Sequence, residues 1–373
     1  MKQMAATMPF SSLILDDGST AVLEQPDEAL RTPGRLRDKF GRAITDLRVS
    51  VTDRCNYKCV YCRTGNEGAQ YTELPIADYL RMVRSFVSLG VEKVRLTGGE
   101  PLLRSGLVEM VRELSAMRTA YLPDGTYAGD AGVPLDLALT TNGHLLDGLA
   151  QPLKDAGLNR VTVSMDAVDA ETFASITRVP RSFDKVLAGI RKAQAVGLGP
   201  VKVNCVLLRG FNDGQIEQFA DFSRSEGVIV RFIEWMPLEE DRSWKRETVI
   251  AMDEIVERLN AYRPLVELAP HAASETAKRF TFDDGVGEIG IIAPVSRPFC
   301  GHCSRVRLTS DGKIRTCLFS QSDHDLYGEM VRGGTDAELA AYIRKTVMRK
   351  EARHHIGEPG FQKPSRNMVH IGG

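Results

Sequence analysis

The sequence lacks any apolar run long enough to cross a bilayer as a helix, so no membrane span is expected. It also lacks an excess of charge. Its 373 residues carry 48 Lys and Arg against 49 Asp and Glu. That balance excludes a protein that holds nucleic acid by bulk charge, although it leaves room for a local cationic pocket. Neither a disordered nor a coiled-coil composition is present, with 43% hydrophobic and 26% charged residues. The short apolar patch Met8–Leu15 has no basic leader. Asp16, Asp17, Glu24, Asp27 and Glu28 are unlike an organelle transit peptide, which avoids acids. A cytoplasmic, reducing location is therefore expected, in which cysteines stay unpaired. Six of the 7 cysteines lie in two tight groups and only Cys205 stands alone. Grouped cysteines in such a compartment read as metal ligands.

Along the chain, strand-like and helix-like stretches alternate. Strands are expected at Leu47–Thr52, Lys93–Thr97, Leu135–Thr141, Arg160–Asp166, Val201–Leu208 and Val228–Met236. Helices are expected at Ile76–Leu89, Leu107–Met117, Leu145–Ala156, Phe183–Ala195, Gln215–Ser225 and Met252–Leu259. Six βα units imply a parallel sheet. Residues 1–39 read as a polar, flexible extension, 40–265 as the βα domain, and 266–373 as a C-terminal region of different rhythm. Thr119–Pro134 reads as a surface loop with a small hairpin at Asp124–Gly125. The stretch from Gly357 reads as flexible.

The strand faces choose between an open sheet and a barrel. A parallel strand covered on both sides is apolar throughout. Here Leu47, Val49 and Val51 oppose Arg48, Ser50 and Thr52, and Val94 and Leu96 oppose Lys93, Arg95 and Thr97. The fourth and fifth strands alternate likewise, with Thr162, Ser164, Lys202 and Asn204 on the polar side. One face meets helices and the other a wet or charged space. Six strands cannot close as eight do. The expected fold is α/β, a partial (β/α)6 TIM-type barrel with its open side covered by the C-terminal extension.

Cys55, Cys59 and Cys62 follow the first strand in CNYKCVYC. Three thiolates at this spacing suit three irons of a cubane and leave the fourth open. A structural zinc is the alternative, but it needs a fourth ligand and the nearest His is His144. The cysteines sit at the C-terminal end of a strand, where barrel active sites are built. With Tyr61 before the last cysteine and GGEP at Gly98–Pro101, the chain resembles the radical S-adenosylmethionine superfamily. That resemblance implies an open iron that binds S-adenosylmethionine, one-electron cleavage to a 5′-deoxyadenosyl radical, and hydrogen abstraction from substrate. It places Gly98 and Gly99 at the methionine ammonium and Tyr61 at the adenosine. Ser164, Asn204 and Met236 would line the same pocket.

Cys300, Cys303 and Cys317 form the second group, in CGHC and CLF. His302 could complete a zinc site by folding back. A second three-cysteine iron–sulfur cluster is the other reading, and an auxiliary cluster can bind substrate. Several strings appear in order: DLRVSVTDRCNYKCVYC, KVRLTGGEPLLR, LTTNG, VSMDA, VKVNCV, RFIEWMP, FCGHCSRVRLTSDGKIRTCLF and IGG. Together, from about Gly41 to Gly373, they resemble the GTP 3′,8-cyclase family of molybdenum cofactor biosynthesis. One departure is Cys62-Arg63-Thr64, where that family usually reads Cys-Met-Pro.

The polar strand faces carry Arg48, Lys93, Arg95, Lys202 and Arg231, but of acids only Asp136 and Asp166. Buried cations short of partners are expensive, and an anion relieves the cost. Arg presents a fork suited to phosphate, and a nucleoside triphosphate is a suitable guest. Arg305 and Arg307 extend this wall. The family resemblance implies two 4Fe-4S clusters, S-adenosylmethionine, and GTP held by these cations with Thr140. The adenosyl radical would take hydrogen from ribose C3′, and C3′ would then attack C8 of guanine. Arg305, Arg307, Gly372 and Gly373 are expected to serve the reaction, the last two on a tail that enters the pocket. The product would pass to cyclic pyranopterin monophosphate synthase. A reducing electron donor is implied, with no nucleic acid or membrane partner, and a homodimer is a family-level expectation. A radical peptide-modifying enzyme and a non-enzymatic zinc-binding scaffold remain as alternatives.

Overall fold

A computed structural model describes residues 34–62, 69–122, 126–129, 131–239 and 243–372, and the backbone of Ser12–Ile14 and Thr20–Val22. The chain divides into two compact units, Met1–Gly34 and Arg35–Gly373. In the first, Ser12–Ile14 pairs antiparallel with Thr20–Val22. The rest of the expected flexible extension up to residue 33 lies outside the described residues. Arg35–Lys39 belong to the second unit, where Leu36 is buried and Asp38 accepts from the backbone N–H of Phe40 and Arg42.

The second unit is built on one sheet of twelve strands, numbered here in chain order. The six expected strands are present: β1 (Asp46–Ser50), β2 (Lys93–Thr97), β3 (Asp136–Thr141), β4 (Arg160–Ser164), β5 (Lys202–Leu207) and β6 (Ile229–Glu234). They lie side by side and all parallel. Beyond residue 265 come β7 (Leu265–Leu268), β8 (Lys278–Phe282), β9 (Glu288–Ile292), β10 (Arg305–Leu308), β11 (Lys313–Arg315) and β12 (His324–Asp325). β9 joins β6 and β10 joins β1, both parallel. Eight parallel strands thus form the arc β9-β6-β5-β4-β3-β2-β1-β10. β8 and then β7 extend one edge antiparallel, and β11 and β12 extend the other.

The alternation read from the sequence sorts the two faces. Leu47, Val49, Val94, Leu96, Val161, Val163, Val203 and Cys205 are buried against helices. Those helices are α1 (Ile76–Ser88), α2 (Leu107–Ser115), α3 (Leu146–Asp155), α4 (Ala170–Thr177), α5 (Phe183–Ala195), α6 (Ile216–Glu226) and α7 (Met252–Tyr262). In α1 the buried Tyr79, Met82, Val83, Phe86 and Val87 follow the helical repeat. On the other face side chains two strands apart meet. Arg95 of β2 and Arg231 of β6 both reach Thr162 of β4, at 3.2 and 3.4 Å. That convergence is the concave side of a partial TIM-type barrel.

The C-terminal region closes the gap. α8 (Leu326–Val331), α9 (Asp336–Val347) and α10 (Met368–Ile371) follow β12. A second apolar cluster joins Leu238, Val249 and Val295 from the β6–β9 side to Phe319 and Ile356 from the β11 side, with Ile371 of α10. The expectation of a flexible stretch from Gly357 is corrected. Arg366 is buried and its guanidinium donates to both carboxylate oxygens of Asp311, at 2.8 and 2.9 Å, while Ile371 is fully buried. Thr119–Pro134 does form a hairpin stem, with Arg118–Thr119 paired to Val133–Pro134 and Tyr121 bridged to Tyr127. Asp124–Gly125 lies outside the described residues.

Candidate active site

The first three cysteines occupy the loop after β1. That loop is pinned on two sides. Lys58 and Val60 donate their backbone N–H to Thr177 and Ile176 at the end of α4, at 3.1 and 3.0 Å. On the other side Gly99 donates to Thr52 O at 2.8 Å and Glu100 to Arg54 O at 2.7 Å. A Cβ on Gly98 would lie 2.4 Å from Thr52 O, and one on Gly99 2.3 Å from Arg54 O. Only glycine permits this approach of the β2 loop to the cysteine loop. Glu100, which the sequence reading passed over, is fully buried and accepts from Leu102 N, Thr141 Oγ1 and Asn142 N. Burial raises its carboxyl to about 7. It ties the loops after β2 and β3 together, and Asn142 continues the tie to Asn56 of the cysteine loop at 2.7 Å.

None of the 7 cysteines is in a disulfide. Burial pushes the Cys59 thiol well up, helped by Asp166 and by the charges of Cys62 and Cys55. A buried Cys59 thiol with Cys55 and Cys62 near enough to oppose its ionisation calls for a positive body beside it. Among the described residues, no three His, Cys, Asp or Glu side chains converge as ligands of one metal ion. His302 is exposed. The donor set, all sulfur and three in number, fits an iron–sulfur cluster with one open iron. Arg63 and Thr64 lie outside the described residues.

Above this loop, Tyr61 donates its hydroxyl to Asp166 Oδ2 at 2.8 Å, and Asp166 Oδ1 accepts from Val206 N at 2.8 Å. Burial raises Asp166 to about 6. Ser164 and Asn204 are register neighbours on β4 and β5, and Asn204 Oδ1 accepts from Arg231 Nε at 2.9 Å. Met236 is partly buried and packs against the second apolar cluster.

The cations form layers across the strands. Arg307, Arg48 and Arg95 are direct register partners on β10, β1 and β2. Arg305, Asp46 and Lys93 form the next layer. Arg95 donates to Thr140 at 3.2 Å. Burial and the neighbouring Arg307 hold Arg48 well below its usual value, and burial with Arg305 brings Arg307 down to about 10. Burial and Arg95 lower Arg231 to about 9, and burial and Arg231 lower Lys202 to about 8. Two acids offset part of this charge. Asp46, which falls one residue before the expected start of β1, lies 3.7 Å from Lys93, and Asp136 pairs with Arg160. Arg160 itself was not anticipated, because its partner removes the imbalance that drew attention to the others. Among the described residues, Arg48 Nε and Arg307 Nε and Nη1 are buried without hydrogen-bond partners. Those donors fit an anionic ligand.

Cys300 and Cys303 precede β10 and Cys317 follows β11, and Cys303 and Cys317 lie near enough to Arg307 to favour its charge. Arg305 Nη2 donates to Cys303 Sγ at 3.5 Å, and its guanidinium lies 5.2 Å from the Phe299 ring centre. Burial opposes ionisation of Cys303, but Arg305 and Lys350 outweigh it and bring the thiol down to about 6. Gly372 lies between β1 and β2, where a Cβ would meet Thr97 Oγ1 at 2.4 Å and Ser50 Cβ at 3.1 Å. Its φ of 75° is also one that favours glycine. Gly373 lies outside the described residues.

A partial barrel with a CX3CX2C loop on its first strand and a double glycine after its second defines the radical S-adenosylmethionine class. Residues 49–223 match the Radical SAM superfamily, and residues 228–356 match Molybdenum Cofactor Synthesis C. The chain is 44% identical over 322 residues to GTP 3′,8-cyclase of Acidothermus cellulolyticus, covering 84% of this chain and 85% of the relative. To the GTP 3′,8-cyclase of Corynebacterium glutamicum it is 43% identical over 350 residues, 91% and 89% of the two chains. The Streptomyces coelicolor GTP 3′,8-cyclase is 40% identical over 344 residues, 91% and 96%. The chain belongs to the GTP 3′,8-cyclase family. In fold it is similar to Streptococcus suis SuiB crystallised with S-adenosylmethionine, with a TM-score of 0.55 at 14% identity over 82% of this chain and 69% of that one. Membership of the radical class carries S-adenosylmethionine and an iron–sulfur cluster. No helix among the described residues is long and apolar enough to cross a membrane.

Proposed function

We propose that this chain converts GTP to (8S)-3′,8-cyclo-7,8-dihydroguanosine 5′-triphosphate, the first step of molybdenum cofactor biosynthesis. The observation that carries this reading is the cationic wall on the polar strand faces, with buried donors on Arg48 and Arg307 that have no hydrogen-bond partner among the described residues. Cys55, Cys59 and Cys62 would hold the cluster at which S-adenosylmethionine binds, and Cys300, Cys303 and Cys317 would hold a second 4Fe-4S cluster. When bound, the first cluster and S-adenosylmethionine would supply one-electron chemistry that removes the C3′ hydrogen of GTP; closing the C3′–C8 bond to the 7,8-dihydro product would then take one further electron, from the external donor, and a proton.

The chain's own residues bind and orient. Arg48, Arg95, Arg231, Lys202, Lys93 and Arg307 hold the triphosphate, and Thr140 adds a hydroxyl beside Arg95. Arg305 stands between this wall and Cys303. Tyr61, Ser164, Asn204 and the Gly98–Gly99 backbone border the S-adenosylmethionine pocket, with Met236 at its apolar margin. Gly372 brings the tail against β1 and β2, and Gly372 and Gly373 assist the radical step. The product passes to cyclic pyranopterin monophosphate synthase, an external donor supplies the electrons, and the enzyme works in the cytoplasm.

The test is an anaerobic assay with GTP, S-adenosylmethionine and a reductant, read as cyclised nucleotide and 5′-deoxyadenosine. Cys55→Ala is expected to abolish both products. Cys317→Ala is expected to spare some 5′-deoxyadenosine and lose the cyclised nucleotide. Full cyclisation by Cys317→Ala would remove the role given to the second set.

A further inference from the structure

Lys350 follows α9 and is 2% exposed. Neither composition nor motif marks it. Its ammonium donates to the backbone carbonyl of Arg305 at 2.8 Å and to that of Thr316. Arg305 stands two residues after Cys303, and Thr316 immediately precedes Cys317. One buried charge therefore joins the two segments that carry two of the three cysteines.

The residues after it complete a brace. Glu351 accepts from Thr316 Oγ1 at 2.8 Å. Arg42 donates to the carbonyls of Glu351 and Ala352, at 2.7 and 2.9 Å, and also to that of Cys300 at 2.8 Å. The segment that begins at Lys350 is thus tied to all three cysteine positions.

Among the described residues no carboxylate forms an ion pair with Lys350, although burying an ammonium without a counter-charge is costly. The charged groups beside it are Arg305, whose carbonyl it holds, and Glu351, whose carboxylate is engaged by Thr316 Oγ1. Its ammonium sits on the carbonyl two residues after Cys303 and on the one immediately before Cys317. Cluster potentials respond to net charge and to hydrogen bonding around the sulfurs. A fixed positive charge stabilises the reduced, more negative state and raises the potential.

We propose that Lys350 is the positioning residue of the second cysteine set, clamping the Cys303 and Cys317 segments and supplying the charge that raises the potential of the cluster they hold. This rests on the second cluster proposed above. The experiment separates the two. A Cys55→Ala, Cys59→Ala, Cys62→Ala protein, reconstituted anaerobically, retains the second set alone. Its iron content tests the second cluster by itself, and full loss of iron there would refute that reading before Lys350 is considered.

In that background the midpoint potential is measured by redox titration followed by electron paramagnetic resonance. Lys350→Met is expected to shift the midpoint to lower potential, and Lys350→Arg is expected to leave it near the parent. Lys350→Gln guards against misfolding, since its amide can still bridge the two carbonyls without a charge. A parental midpoint in Lys350→Met or Lys350→Gln at full iron content would overturn the proposal. Loss of iron in both neutral variants with retention in Lys350→Arg would support it. Loss in Lys350→Arg as well would overturn it, because charge alone would then not suffice.

Discussion

Lys202 carries the clearest pH signature on the cationic wall. It is a register neighbour of Thr162, and burial with Arg231 brings it down to about 8 from 10.5. A bound triphosphate favours its charged form, so the pKa rises in the complex. The sign follows from that difference. Lys202 contributes its full attraction below about 8, and the contribution is lost as pH rises from there toward the value in the complex. GTP phosphates complete their ionisation near about 6, so the window from 7.5 to 9, roughly, reports the protein. GTP affinity should fall across it, as read by calorimetry. Lys202→Met should bind more weakly at neutral pH, by about 1.5–3 kcal/mol, the scale of a charged hydrogen bond, and should lose most of the slope. A parental slope in Lys202→Met would assign the titration elsewhere. At this scale the sequence exposed charge imbalance well. It exposed Lys350 not at all, and Glu100 only as a letter of the GGEP motif, because the role of a single Lys or Glu depends on burial between segments far apart in the chain.

At the scale of elements, strand periodicity located β1 to β6 and the polar face of each. It did not reveal β9 and β10 as parallel members of the arc. Their sequences are short and follow irregular stretches, and only pairing with β6 and β1 defines them. α4 was missed as well, although Asp169 caps it by accepting from Thr172 N at 2.8 Å and Arg178 ends it at a φ of 59°. That helix matters because its last carbonyls fix the cysteine loop. The opposing clamp is the Gly98–Gly99 pair. In Gly99→Ala the new methyl would meet Arg54 O at 2.3 Å, and either the loop or the strand end must move. Overpacking of this kind costs about 1–3 kcal/mol. The variant should fold with a lower melting temperature and lose iron from the first set while keeping that of the second. Spectroscopic quantitation showing both sets full would mean that the double glycine is not what positions the loop.

At the scale of the whole molecule, the C-terminal segment converts an open sheet into an enclosed site. Three contacts guide it inward in order. Lys363 pairs with the buried Glu239 at 3.2 Å, and Arg366 binds Asp311 while lying 4.7 Å from the Tyr71 ring centre. His370 then sits 4.0 Å from Asp53, two residues before Cys55. Ile371 fills the second apolar cluster, so the anchor is complete before Gly372 is reached. A chain stopped at Ile371 therefore keeps every one of these contacts. It should fold with an unchanged melting temperature, carry the same iron and bind GTP with parental affinity. What it lacks is the backbone between Ser50 and Thr97, where Gly372 fits and no larger residue does. It should fail to form the cyclised nucleotide, and a synthetic peptide of the tail sequence should restore part of the product. Gly372→Ala in the full-length chain is the sharper probe. Its methyl would meet Thr97 Oγ1 at 2.4 Å in a conformation unfavourable for alanine, so it should lower product formation while leaving GTP affinity in place. Parental turnover by both proteins would reduce the tail to a structural strap whose last two residues do nothing.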